Sequence, residues 1–302
     1  MKDEDITEQV NCLLCGEKNN VPSFYEEYYL KATKIVLGIN QCRSCSLCYV
    51  SPRLNAQGLA LLYNSSYLDD TVSGRYNTEE CVSRNEYVQF VQYVSKNIPR
   101  GSRVLDVGCG VGLLLDALRE ASIDLQLSGV ELSSFAAEKA ISKGFDVCVG
   151  DFSSDNLVAS GSIDAIIFLY VLEHVPDPAS FLKAAHYALN DSGCLFLAVP
   201  NYRYLKIVKT GFLSKIIFGK SSNIHAAEHL FNFTPRTIGI MLQQAGFEII
   251  YLGQSKPLNI GSPLFRLIKM IGAGFARLFG IFGFYVGGIH IIARKKNSTD
   301  DV

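Results

Sequence analysis

Residues 104–115, VLDVGCGVGLLL, limit what this chain can fold into more than any other stretch. A β-branched and aliphatic run reads as a buried strand, meets Asp106, crosses Gly108, Gly110 and Gly112, and turns aliphatic again. Such a strand–turn–helix is a unit of an alternating α/β domain. The turn suits neither common phosphate reader. A dinucleotide fingerprint spaces its glycines G-x-G-x-x-G, whereas these run G-x-G-x-G, and a phosphate loop needs a Gly-Lys-Ser or Gly-Lys-Thr that is absent here. An acid at the strand end would repel a pyrophosphate but attract an ammonium or sulfonium group, and the glycines let the backbone approach such a ligand closely.

The pattern around this unit repeats it. Apolar strands are expected at 103–107, 126–131, 146–150, 163–169 and 193–199, with helices at 111–121, 133–143 and 178–189 and an amphipathic helix from 78 that Pro99 and Gly101 end. A helix capped by Thr234 and closed by Gly246 leads into FEIIYL, and GGIHIIARKK is a last strand. The alternation predicts a doubly wound, mostly parallel sheet with helices on both faces. In such a sheet the strand ends line the ligand crevice at the switch point. Two further acids fall at strand ends. Glu131, 25 residues after Asp106, can accept both hydroxyls of a ribose, and Asp151 can accept from the exocyclic amine of adenine.

Nine cysteines are unevenly placed, five of them before residue 49 as CLLC (Cys12, Cys15) and CRSCSLC (Cys42, Cys45, Cys48). The acidic start MKDEDITEQ lacks the positive end and apolar run of a signal peptide, so a cytoplasmic chain with reduced thiols is expected. Two CxxC pairs separated by 26 residues can present four thiolates to one zinc ion, with the spacer returning as strands. Cys12, Cys15, Cys42 and Cys45 are the expected ligands, with Cys48 as an alternative to Cys45. Four cysteines leave no open position for water, so this zinc would be structural. Cys81, Cys109, Cys148 and Cys194 read as small apolar residues.

The motifs VLDVGCGVG, GVELS and LYVLEHVPDP together resemble the class I S-adenosylmethionine-dependent methyltransferases over roughly residues 80–200. The resemblance implies a seven-stranded Rossmann-like sheet whose last strand is antiparallel, preceded here by a small zinc-ribbon-like module. It implies that Gly108, Gly110 and Gly112 hold the methionine part of the cofactor. Glu131 would then bind the ribose, Asp151 with Phe152 the adenine, and Leu169 with Tyr170 would border the methyl group. The double CxxC and HAAEHLFNFT are similar to a subgroup that includes sugar-nucleotide C-methyltransferases, in which Glu228 and His229 would line the acceptor pocket and His229 would be a candidate general base. LEHVPDPASF equally resembles the O-methyltransferases of ubiquinone biosynthesis. His174, at the loop after the fourth strand, is the competing base, whereas His186 and His290 read as packing residues.

The expected organisation is a zinc-binding module at 1–70 and a methyltransferase domain at 78–296, with lid or insert segments at 202–232 and 256–284. RYLKIVKTGFLSKIIFGK and LFRLIKMIGAGFARLFGIFGF place basic residues on one helical side. Such helices can form a lid or lie on an anionic membrane surface, meeting a lipid-linked substrate there. A net charge of -1 argues against a nucleic-acid partner. The expected acceptor is a small molecule, a sugar or surface-glycan precursor; the alternatives are a lipid quinone or other membrane-borne phenol, and a catalytically silent cofactor-binding module that docks a protein.

Overall fold

The computed structural model describes residues 3–30, 33–62, 83–121, 124–154, 157–202, 225–254 and 288–296. At the N-terminus, α1 (Asp3–Ile6) and β1 (Thr7–Glu8) precede a long hairpin of β2 (Asn20–Leu30) and β3 (Thr33–Cys42), followed by β4 (Cys48–Val50), β5 (Arg53–Leu54) and α2 (Ala56–Leu62). The strands β2, β3 and β4 pair antiparallel in that order, and β1 pairs with β5. Ile35, Leu37 and Ile39 alternate along β3 and bury against Ile6, Val50, Leu54 and Leu62. The period of two puts one face of the hairpin into this small core.

The larger unit starts with α3 (Ser83–Asn97) and continues as β6 (Arg103–Val107), α4 (Leu113–Glu120), β7 (Gln126–Glu131), α5 (Ser134–Ser142), β8 (Asp146–Val149) and β9 (Ile163–Leu169). Then come α6 (Pro178–Ala188), β10 (Leu189–Pro200), β11 (Phe231–Asn232), α7 (Pro235–Gln244), β12 (Phe247–Gln254) and β13 (Gly288–Lys295). Seven strands form one sheet in the order β12-β13-β10-β9-β6-β7-β8. β13 runs antiparallel to both its neighbours, and the pairs from β10 through β8 are all parallel. The seven strands and the reversed last one are as the sequence motifs imply.

Both faces of this sheet are covered, which is why its central strands read as continuous apolar runs. Val104, Ala165, Ile167 and Phe196 face Phe90 and Val94 of α3 and Leu114 and Leu118 of α4. Leu105, Ile166, Phe168 and Leu195 face Phe181, Leu182 and Ala185 of α6 and Ile238 and Leu242 of α7. Phe168 is fully buried with ring contacts to Phe152 and Phe181, and a side chain of that size contributes roughly 1.5–3 kcal/mol by burial alone. Local chemistry sets the helix starts. Asp177 accepts from the Ala179 and Ser180 N–H groups ahead of α6, and Thr234 with Thr237 forms a capping box on α7.

Some boundaries differ from the sequence expectation. The helix after the glycine turn begins at Leu113 rather than 111, because Gly112 takes a left-handed conformation (φ 79°) at its cap. β10 begins at Leu189 rather than 193, directly on leaving α6, with an irregularity between Leu189 and Cys194. Cys148 is exposed on the edge strand β8, unlike the buried Cys109 and Cys194. The two-residue β11 joins β4 rather than the large sheet, so the N-terminal sheet takes its fourth strand from far along the chain. The two basic segments, Cys81 and the segment 256–284 lie outside the described residues. Among the described residues no helix is long and apolar enough to cross a membrane.

Candidate active site

The chain order of the sheet reverses between β6 and β9, so their C-terminal ends open a crevice. The glycine turn forms its floor. Gly108, Gly110 and Gly112 all have positive φ (71°, 54° and 79°), and a Cβ on Gly108 would come within 2.8 Å of Val171. No other residue takes that backbone without strain. Asp106, near the end of β6, is 3% exposed; burial first, and then the nearby Glu131, push its carboxyl up to about 8. Glu131 closes β7 with both carboxylate oxygens held, one accepting from the Gly110 N–H (2.8 Å) and the other from the Ser133 N–H (2.9 Å). Each oxygen keeps a further lone pair for a ligand hydroxyl.

The third acid is arranged differently. Asp151 is exposed past β8, where its Oδ1 accepts from the Ser153 N–H and hydroxyl. Phe152 buries its ring against Phe168 and Phe181, which leaves its side chain in the core rather than in the crevice. Leu169 ends β9 and Tyr170 follows with φ 58°, a conformation rare for a bulky residue and concentrated at functional sites. The Tyr170 hydroxyl donates to Glu86 of α3, and burial raises that carboxyl to about 7. A side chain at Gly288 of β13 would collide with this hydroxyl.

The two histidines weighed as bases come together beside the end of β9. His225 sits at φ 63°, and its carbonyl accepts from the Glu228 N–H (2.9 Å) and the His229 N–H (2.7 Å), forming one tight turn. His174 Nδ1 lies 3.0 Å from the Glu228 carbonyl, and the His174 and His229 rings meet edge to face with centroids 4.8 Å apart. The sequence separated His174 and His229 by 55 positions and set them against each other; the fold puts them in contact. Glu228 lies near Tyr28 of β2, whose phenol is raised first by burial and then by the charges of Glu228 and Glu26.

Two acids escaped the sequence reading. Glu86 stands four and eight residues ahead of Phe90 and Val94 on the buried stripe of α3, a spacing that marks it as an acid facing inward. Glu173, the neighbour of His174 in sequence, is the more deeply buried of the two, at 1% exposure. His186 and His290 pack as expected, against Phe247 and against Phe90 and Tyr93.

At the N-terminus the Sγ atoms of Cys12, Cys15, Cys42 and Cys45 all lie within 4.8 Å of one another. Cys12–Cys45 and Cys15–Cys42 approach to 3.4 and 3.5 Å without a disulfide. Within the chain, Cys12 to Cys15 and Cys42 to Cys45 each form a turn closed by a left-handed residue, Gly16 or Ser46. Four converging thiols suit one tetrahedral ion. Cys48 is buried in β4 outside this cluster, whose fourth thiol is that of Cys45.

A family model described as a methyltransferase domain matches residues 82–252. Ubiquinone biosynthesis O-methyltransferases of Xanthomonas axonopodis pv. citri and Xylella fastidiosa are 36% and 38% identical over 118 and 119 residues. Those alignments take in 37% of this chain and 48% and 47% of the relatives, so the chain spans about half the length of the curated relatives it matches. Among solved structures, a 1,6-didemethyltoxoflavin-N1-methyltransferase of Burkholderia thailandensis, holding S-adenosylhomocysteine, aligns over 90% of this chain and 100% of its own (TM-score 0.55, 17% identity). A SAM-dependent methyltransferase from Archaeoglobus fulgidus aligns over 77% and 100% (TM-score 0.50, 19% identity). At these identities the two structures speak for the fold.

Proposed function

Because this chain belongs to the methyltransferase-domain family, we propose that it binds S-adenosylmethionine at the ends of β6, β7 and β8 and transfers its methyl group to a small-molecule acceptor. The observation that carries this reading is the acid-and-glycine crevice. The residues fit the cofactor: Glu131 is oriented by two backbone donors with lone pairs to spare for ribose hydroxyls, and Asp106 is a buried acid without a cation of its own among the described residues. The glycines leave room for a methionine chain against the backbone. Asp151 and the Phe152 N–H would meet the adenine, and Leu169 and Tyr170 the methyl end.

When bound, the cofactor supplies a methyl carbon made electrophilic by its sulfonium. The protein then has two tasks, aligning the acceptor atom and removing its proton. His229, on the tight turn beside the end of β9, is the proposed base. Glu228 would contact the acceptor, and His174 would support or replace His229. A sugar or surface-glycan precursor is the proposed acceptor, from the likeness of the cysteine module and EHLFNFT to sugar-modifying relatives. A quinone or other phenol is the second reading, favoured by the named activity of the curated relatives. Residues 1–70 would hold one structural zinc through Cys12, Cys15, Cys42 and Cys45.

Calorimetric titration with S-adenosylmethionine tests the cofactor site. Glu131→Ala should weaken binding by about 2 kcal/mol or more, because two hydroxyls lose a charged acceptor. Unchanged affinity would remove Glu131 from the site. Methyl-labelled cofactor supplied with the protein to a lysate of the source organism should then label one small molecule, whereas a silent binding module would label none.

A further inference from the structure

Glu173 lies on the turn after β9, and neither of its carboxylate oxygens has a hydrogen-bond partner among the described residues. Its main chain is tied to the acceptor segment, since the Glu173 carbonyl accepts from the Phe231 N–H (3.2 Å). His174 Nδ1 faces the Glu228 carbonyl at 3.0 Å. A carbonyl only accepts, so Nδ1 carries the hydrogen and neutral His174 keeps its lone pair on Nε2. Nε2 lies 3.8 Å from Glu173 Oε1. One polar atom each from Glu173, His174 and His229 falls within 4.8 Å of the other two.

We propose that Glu173, His174 and His229 form one proton-sharing array, in which Glu173 is a positioning residue that balances the charge His229 gains on taking the acceptor's proton. The proposal rests on the reading of His229 as the base. Methyl transfer forms the bond from the acceptor atom to the methyl carbon and breaks the carbon–sulfur bond, whose electron pair returns to sulfur. The acceptor's proton passes to His229. Glu173 then hands its own proton to His174, whose side chain is 30% exposed and releases one to water. What remains is a carboxylate facing an imidazolium, so no uncompensated charge is left in the interior. The handover requires the 3.8 Å gap to close to about 2.8 Å, the range of a charge-assisted hydrogen bond.

Burial first, and then the neighbouring Glu86, push the Glu173 carboxyl up to about 8, so it starts protonated at neutral pH. Among the described residues, the charged or titratable groups near the array include Glu86 of α3, held by the Tyr170 hydroxyl, Glu228 and His225 on the turn of His229, and Tyr28 and Glu26 of β2.

The test is NMR of the full chain without cofactor, with ¹⁵N-labelled imidazoles and ¹³C-labelled glutamate carboxyls, titrated across neutral pH. Wild-type protein should show His174 as the Nδ1–H tautomer and a Glu173 carboxyl step coupled to the imidazole titrations. Glu173→Gln should remove from the His229 titration the step that coincides with ionisation of Glu173, since the carboxylate formed in that step is what favours the imidazolium. His174→Gln should move the Glu173 carboxyl step while leaving the amide spectrum in place. Imidazole titrations that superimpose in wild type and Glu173→Gln would overturn the array, as would paramagnetic broadening of His174 and His229 by micromolar Mn²⁺, which would make the three side chains cation ligands. If Glu173→Gln does not fold, an unmoved Glu173 step in His174→Gln overturns it alone. Coupled titrations with unchanged label transfer by His229→Ala would uphold the array and discard the base.

Discussion

Asp106, Glu173 and Glu86 are acids held where water scarcely reaches, and burial raises all three, to about 8, 8 and 7. A carboxyl whose folded pKa lies above its unfolded value keeps its proton in the native state after the unfolded chain has lost it. Stability therefore falls as pH rises through that window, with a slope of about 1.4 kcal/mol per pH unit for each proton retained. His290 works in the opposite sense: burial lowers it to about 4, so its contribution is lost as pH falls below the ordinary histidine range. Ligand-free protein should accordingly lose thermal stability between pH 6.5 and 8. Substituting Glu173→Gln together with Asp106→Asn should flatten that limb, and melting curves at half-unit steps check it. A limb that persists undiminished in the double variant would mean that these carboxyls are ionised in the folded protein.

Among the elements, those with a strong period were legible and those held by distant partners were not. β6, β7 and β9 fall on the expected residues because an apolar run bounded by glycine or an acid has few other readings. α7 was marked in advance by Thr234 and Gly246, and its cap is as the sequence implies. β11 has only two residues and no period, and it exists because β4 offers an edge: Phe231 pairs with Tyr49 and Asn232 with Cys48. The same reason hid Glu173, whose burial comes from packing over the sheet end rather than from a pattern. The acids and glycines of the crevice were legible because chemistry at strand ends is local, whereas the contact between His174 and His229 needs the whole fold. Phe231 stacks on Phe233 with centroids 6.0 Å apart, and both belong to a cluster shared by Tyr49 of the cysteine sheet and Phe168 of the large one. Phe231→Ala should therefore cost about 3–5 kcal/mol. Hydrogen exchange should speed up in both β4 and β9, and faster exchange confined to β4 would show that the cluster does not couple the two sheets.

For the molecule as a whole, the cysteine module is joined at several points to the segment from Ala226 to Asn232 and to the loop after β9. Beside the β4–β11 pairing, the Val50 N–H donates to the Leu230 carbonyl (3.0 Å), Arg53 reaches the Pro176 carbonyl (2.9 Å), and the Ala226 N–H donates to Glu26 (3.4 Å). Elemental analysis should find one zinc per chain, and its removal should loosen β2 to β4 and, through β11, the turn that holds His229. S-adenosylmethionine affinity should stay nearly unchanged, because β6 to β8 make none of these contacts, while methyl transfer falls by roughly 10²-fold, the cost of misplacing a reacting group by about 1 Å. Calorimetry and label transfer on stripped protein separate the two, and equal losses in both would show that the crevice itself depends on the metal. The same stitch has a consequence for the newborn chain on the ribosome. β4 emerges with one edge paired to β3 and the other open, and the strand that closes it follows about 180 residues later. At the usual pace of synthesis that edge stays bare for roughly 10–40 s, with Tyr49 lacking its cover from Phe231, so the interval before β11 arrives is when a crowded cell has its best opportunity to capture this protein in the wrong partnership.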